Sequence, residues 1–135
     1  RTMTVRMGKK FAEMGASVTD APLAVAWRER IASGATPGCY PVALAASFAG
    51  QGLPEADAFV VHQYGVAVMI LSAALRLMKI GHVETQAMLY RLNAGADAAY
   101  EVAARTRLAD MASFAPVTDV LAAAHVKAHV RLFMN

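Results

Sequence analysis

The stretch from Ala56 to Lys79 constrains the fold more than any other part of this sequence. It contains no proline, and its only charged residues are Asp57, Arg76 and Lys79. Apolar residues cover almost the whole circumference of a helix in this stretch, and such a helix is normally buried. The sequence therefore predicts a long central helix that the other helices bury.

A narrow stripe of small and polar residues interrupts this apolar surface. Gly65 and Ser72 belong to it, and small side chains would let another backbone approach closely. The stretch has roughly the 20 residues that a membrane span needs, but the polar interruptions favour a central helix of a soluble domain. The stripe lies on one helical face and consists of His62, Gly65, Met69, Ser72, Arg76 and Lys79.

Gly and Pro residues divide the remaining sequence into short helices. Asp20 is predicted to cap the second helix, and Gly81 is predicted to end the central one. No stretch shows the alternation that is typical of strands. We predict one all-α domain over residues 1–135, with six or seven helices packed around the buried central helix.

The first helix carries an apolar stripe of Met3, Met7, Phe11 and Met14. A stripe of this kind usually faces the core, and we predict that placement here. The alternative is an adaptable interface, because methionine side chains are flexible.

The composition favours a protein that binds other proteins. Apolar residues make up 57% of the chain, above the roughly 45–50% of an average domain, which indicates a helix-rich core or apolar surface reserved for a partner. The net charge of +3 comes without a dense basic cluster, so no nucleic-acid partner is predicted. The single Cys39 fits a reducing compartment. No signal peptide is predicted, because the first residues lack an apolar segment, and the start at Arg1 predicts a fragment of a longer chain.

The sequence contains no arrangement of residues that predicts catalysis. Paired carboxylates and a Ser/His/Asp arrangement are missing, so we predict neither an enzyme nor a cofactor. His125 and His129 are four residues apart and could face one metal ion, but no third ligand is near in sequence. A helical metal-binding module using these two residues is therefore the alternative function, and a small-ligand enzyme along the central stripe is a third.

Four segments of the chain follow the order of a known family's motifs. They are Arg6-Met7-Gly8, Cys39-Tyr40-Pro41-Val42, the stretch 72–82 with Gln86, and the tail from Ser113 to Phe133. Together they resemble the UreF family of urease accessory proteins across nearly the whole chain. The chain differs from the family in the absence of its glycine-rich N-terminal segment, and in the residues Cys39, His82 and 126–130.

The resemblance implies a non-enzymatic, all-α, cytoplasmic chaperone that forms a homodimer. Proteins of this family bind the accessory protein UreD, also called UreH, and with it recruit the GTPase UreG to apo-urease for nickel insertion. No membrane partner and no metal site of its own are implied for this chain. By match to the family pattern, the expected partner-binding residues are Tyr40, Arg76, Gln86, Phe114, Pro116, His125, Arg131 and Phe133.

Overall fold

The computed structural model describes residues 2–126, and within that range it contains helices and no strand. The all-α class is therefore confirmed. The seven α-helices are α1 (Thr2–Thr19), α2 (Pro22–Ala32), α3 (Tyr40–Gly50), α4 (Glu55–Leu77), α5 (His82–Asn93), α6 (Ala96–Arg105) and α7 (Pro116–Val126), with a short 3₁₀ turn at Leu108–Asp110 between the last two.

Proline and backbone geometry fix where α2 and α4 begin. Pro22 opens α2 after Ala21, and Asp20 makes no side-chain cap because it adopts a left-handed backbone with φ of 48°. The predicted Asp20 cap is therefore wrong. Pro54 precedes α4, whose first turn holds Glu55 and Asp57, where negative charge suits the helix dipole.

Gly81 begins α5 and does not end the central helix as predicted. α4 already ends at Leu77, and Met78 is extended. The Gly81 N–H donates a 2.8 Å hydrogen bond to the Glu84 carboxylate. This bond satisfies a backbone donor at the start of α5, so Gly81 belongs to the helix that follows it.

Small residues form the core of the first three helices. α1 packs mainly on α3 and also on α2, through a buried face that includes Gly8, Ala12 and Ala16. A Cβ atom added at Gly8 would lie 2.5 Å from the Tyr40 backbone nitrogen. The helices therefore meet almost backbone to backbone. The buried apolar residues are Ala12, Ala16, Ala24, Ala43, Leu44, Ala58, Leu89 and Ala96.

The central helix is much more exposed than the sequence predicts. Ala58 is its one fully buried residue among those described, while Ile70 is 60% exposed and Leu77 is 55% exposed. The prediction of a buried central helix is wrong, because α3 and α5 are the main elements packed against it. Two neighbours cover only part of a helix that is apolar on all sides.

The methionine stripe of α1 also faces outward. Met3 is 71% exposed and Met14 is 57% exposed. The prediction that this stripe faces the core is wrong, because α1 turns its glycine and alanine face towards α3. The interface alternative remains a prediction.

The chain separates into two compact units, Arg1–Ala103 and Ala104–Asn135. In the second unit, the described side chains are all exposed. Arg107 binds Asp110 through two nitrogens, at 2.6 and 3.0 Å. α6 ends at Arg105. The assignment of residues 1–135 to a single domain remains a prediction.

Candidate partner-binding surface

An open apolar groove lies between α1, the start of α3 and the middle of α4. It encloses a cavity of about 410 Å³. Side chains from three separate helices therefore line one surface, which we call the α1–α4 groove. Its lining residues are Met3, Thr4, Met7, Tyr40, Pro41, His62, Gly65, Val66 and Met69.

A row of rings connects the three helices beside the groove. The Tyr40 ring meets the Phe11 ring edge-on, with centroids 5.5 Å apart. On its other side, the Tyr40 ring lies 6.2 Å from the ring of His62. Such aromatic pairs add directional contact to simple burial. Phe11, Tyr40 and His62 therefore hold α1, α3 and α4 in position around the cavity.

Gly65 leaves open space on the α4 side of the groove. A Cβ atom added at this position would meet no other atom within 4 Å. A glycine inside a helix is unfavourable by roughly 0.5–1 kcal/mol relative to alanine. Packing among the described residues therefore gives no reason for a glycine here, in contrast to Gly8.

A second polar contact attaches α6 to the start of α4. The Tyr100 hydroxyl donates a 2.5 Å hydrogen bond to the Glu55 carboxylate, and its ring lies 5.7 Å from that of Phe59. The hydrogen bond to Glu55 raises the pKa of Tyr100 above its ordinary value of 10.0. The contact thus requires the neutral form of the phenol.

The predicted partner-binding residues of the first unit lie on three different helices. Tyr40 is half-buried and lines the α1–α4 groove. Arg76 is exposed near the C-terminal end of α4, and Gln86 is exposed on α5. The groove includes Tyr40 but neither of the other two. Their roles in partner binding remain predictions.

The predicted residues of the second unit are exposed where the structure describes them. Phe114 is 93% exposed, Pro116 opens α7, and His125 is in its last turn. Arg131 and Phe133 lie outside the described residues. These partner-binding roles also remain predictions.

The alternative metal site cannot be placed, because His129 lies outside the described residues. Between residues 2 and 126, no group of three or more His, Cys, Asp or Glu side chains is arranged to hold a metal ion. Cys39, at the start of α3, is half-buried and carries a free thiol.

Sequence reasoning did not identify the groove, although parts of its signal were visible. The stripe on α4 contains His62, Gly65 and Met69, and the stripe on α1 contains Met3 and Met7. Each stripe could be read separately as an interface. Only the fold shows that the two stripes face the same cavity, because Gly8 brings α1 against the start of α3.

The length and composition of α4 would allow it to cross a membrane. Within the described part of the chain, α4 is the one helix that is long and apolar enough for this. Only 6% of its most apolar 18-residue stretch is buried. The core helix of a soluble protein can have the same length and composition. The low burial shows that, within the described part of the chain, α4 is not such a buried core helix.

Comparison with known proteins identifies the family. The sequence model of the UreF family matches residues 1–93. Proteins named urease accessory protein UreF from Yersinia enterocolitica, Yersinia pestis and Yersinia pseudotuberculosis are each 49% identical to this chain over all 135 residues. The chain spans 59% of the length of these curated relatives. No solved structure matches it. The family model and the relatives together show that the chain belongs to the UreF family.

Proposed function

We propose that this chain serves as a urease accessory protein of the UreF type that helps to insert nickel into urease. In this function it bridges UreD (UreH) and the GTPase UreG in the cytoplasm, as a homodimer. The observation that carries the proposal is 49% identity over all 135 residues to proteins named for this accessory role. Nickel is cargo here, and the chain itself has no catalytic role.

The exposed apolar surface supports a function in protein binding. Ile70 and Met69 on α4 are 60% and 58% exposed, and Phe114 in the second unit is 93% exposed. Large contiguous apolar surfaces on soluble proteins commonly mark interaction sites. An accessory protein that assembles several partners needs such surfaces on more than one part of the chain.

Co-purification tests the proposal directly. The folded chain is mixed with UreD, with and without UreG, and the eluted complex is sized by light scattering. We expect a stoichiometric complex with UreD that contains two copies of the chain and that takes up UreG. A folded chain that binds neither protein contradicts the proposal for residues 1–135, even if a full-length Yersinia relative binds both.

A matched pair of variants tests whether the second unit contributes to UreD binding. Phe114→Ala removes a predicted partner-binding residue, and Leu108→Ala removes another apolar side chain that is 85% exposed. Neither side chain is part of the core, so both variants should fold. We expect Phe114→Ala to weaken the UreD complex and Leu108→Ala to leave it intact. Equal effects would contradict a specific role for Phe114.

A further inference from the structure

We propose that the α1–α4 groove binds one soft monovalent metal ion, Cu(I), through methionine thioethers and one imidazole. The donors are the sulfur atoms of Met3, Met7 and Met69 and a ring nitrogen of His62, all of which line the groove. The family resemblance implies no metal site of the chain's own, so this site goes beyond the accessory function, in which nickel is cargo.

Two helices bring the four donors to one cavity. Met3 and Met7 are four residues apart on α1, so their side chains lie on the same face of that helix. His62 and Met69 are seven residues apart on α4, which also places them on one face. Both faces line the same cavity of about 410 Å³. Donors from distant parts of the sequence therefore surround one space.

The spacing on α4 is compatible with a shared ion. Seven residues rise by about 10 Å along a helix, and the long side chains of His62 and Met69 can reach towards each other from the two ends of this distance. Gly65 lies between them, and a Cβ atom added there would meet no other atom within 4 Å. The bare backbone at Gly65 thus leaves room for an ion between the imidazole and the thioether.

Neighbouring rings hold the imidazole while the methionines remain adaptable. The Tyr40 ring lies 6.2 Å from the ring of His62, and the Phe11 ring meets Tyr40 edge-on at 5.5 Å. His62 is half-buried, so its ring is less free to turn than that of an exposed residue. Methionine side chains are flexible and polarizable. They can therefore close around an ion that His62 has already bound.

The donor set selects a soft ion. Thioethers favour Cu(I), whereas carboxylates and water favour Mg²⁺, Ca²⁺ or Mn²⁺. Among the described residues that line the groove, none is Asp, Glu or Cys. Between residues 2 and 126, no group of three or more His, Cys, Asp or Glu side chains offers a site for a harder ion. Three thioethers with one imidazole therefore indicate Cu(I) and disfavour Zn²⁺ and Ni²⁺.

The charge balance also favours a monovalent ion. The four donors are neutral when they bind, and the described lining residues include no carboxylate that would offset an added positive charge. The cost of moving an ion from water into an apolar site rises with the square of its charge, so it is about fourfold larger for a divalent ion. The groove therefore disfavours Ni²⁺ on charge as well as on donor softness.

Competition with a chelator measures the site in the 135-residue chain. Cu(I) is titrated without oxygen in the presence of ascorbate, and the absorbance of bathocuproine disulfonate reports the ion that the chain does not hold. All proteins in this series carry Cys39→Ser, because the free thiol of Cys39 would bind Cu(I) by itself. We expect one Cu(I) per chain, which an excess of Ni²⁺ does not displace.

Two double variants locate the site. Met7→Leu with Met69→Leu removes two donors, and Met14→Leu with Met88→Leu removes two thioethers that do not line the groove. Leucine replaces methionine at nearly constant volume, so both variants should fold, which circular dichroism checks. We expect the first pair to weaken Cu(I) binding by at least tenfold, because loss of a group that only orients a ligand already costs about 10–100-fold. The second pair should leave the affinity unchanged.

Methyl NMR with Ag(I) gives a second readout. Ag(I) is soft, monovalent and stable towards oxygen, and the chain contains eight methionines whose methyl carbons can be labelled. We expect Ag(I) to shift three of the methyl signals. Single substitutions assign these signals, which should be the ones that disappear in Met3→Leu, Met7→Leu and Met69→Leu.

Several outcomes would overturn the proposal. They are a failure to hold Cu(I) against the chelator, an equal loss of affinity in the two double variants, displacement of Cu(I) by Ni²⁺, and Ag(I) shifts confined to other methionines. The UreD assay is separate from all of them. A chain that holds Cu(I) but binds neither UreD nor UreG has this site without the accessory function, and a chain that forms the UreD complex without holding Cu(I) has that function without this site.

Discussion

Hydrophobicity and burial do not go together in two regions of this molecule. The contact between α1 and α3 has small side chains and is buried, whereas the surface of α4 has large apolar side chains and is exposed. The first is built mainly from glycine, alanine and serine, yet its residues Ala16, Ala43 and Leu44 are at most 3% exposed. The second has the longest apolar run in the sequence, yet Ile70 remains 60% exposed. The amount of apolar side chain therefore does not determine which surface is buried.

Close approach of backbones explains the difference. Where side chains are small, two helices can meet at short range and exclude water from the residues between them. Where side chains are large and the neighbouring helices cover only one part of the helix, the rest of its surface stays in water. Burial in this chain depends on how closely a neighbour can pack as well as on hydrophobicity.

The largest difference should appear between truncation of an aliphatic side chain in the core and truncation of one on the surface of α4. Leu44→Ala removes a side chain that is 3% exposed, so it should lower the free energy of unfolding by about 2–5 kcal/mol. Ile70→Ala removes a side chain that is 60% exposed, and it should change stability by less than about 0.5 kcal/mol. Urea unfolding of both variants measures the difference. Similar losses would show that α4 is covered in solution.

Substitution of Gly8 tests the close approach itself. In Gly8→Ala, the new Cβ would lie 2.5 Å from the Tyr40 nitrogen and 2.6 Å from the Cys39 carbonyl carbon. These are backbone atoms that cannot rotate away, so the variant should lose about 1–3 kcal/mol of stability. Gly15→Ala on the same helix is the control, because its Cβ meets only the Ser47 Oγ at 3.8 Å. A stable Gly8→Ala variant would show that α1 packs differently.

Gly65→Ala should stabilise the chain, the opposite of the effect at Gly8. The new methyl group meets no atom within 4 Å, and alanine is favoured over glycine inside a helix by about 0.5–1 kcal/mol. The midpoint of thermal unfolding should therefore rise. A fall in this midpoint would mean that Gly65 is packed against something in the free chain, such as a second copy.

The smallest effect concerns the hydrogen bond between Tyr100 and Glu55. Because this bond raises the pKa of Tyr100, its contribution to stability is present below about pH 10 and is lost as the pH rises through the raised pKa. An absorbance titration should show one late-ionising tyrosine, which Glu55→Gln shifts back towards the ordinary value. Tyr90→Phe should leave that transition in place. A titration unchanged by Glu55→Gln would contradict the contact.

Much of the fold followed from sequence, because helix boundaries depend on local chemistry. Gly and Pro residues were predicted to divide the chain into helices, and Pro54 does precede α4 while Pro116 opens α7. The prediction of a boundary failed at Gly81, because a glycine at this position could either end one helix or precede the next. It also failed for burial of α4, because burial depends on which helices lie alongside, and no local pattern encodes that.

The candidate site was less predictable than the fold. The stripes on α1 and α4 were visible, but their meeting at one cavity depends on the contact of Gly8 with Tyr40 at the start of α3, 32 residues further along the chain. Tyr40 lines the groove, while the partner-binding role that the family resemblance predicts for it remains a prediction. The resemblance did not predict Met3, Met7 or Gly65 as groove residues, because their meeting at one cavity depends on how the helices pack.

The absence of a side chain at Gly8 has a consequence for how α1 is aligned. If α1 slid by one turn along α3, Thr4 or Ala12 would occupy the place of Gly8, and either Cβ would collide with the backbone there. The helix can therefore pack on α3 in one register, and that register determines where Met3 and Met7 lie in the groove. A residue that touches no partner would in this way decide the shape that a partner meets.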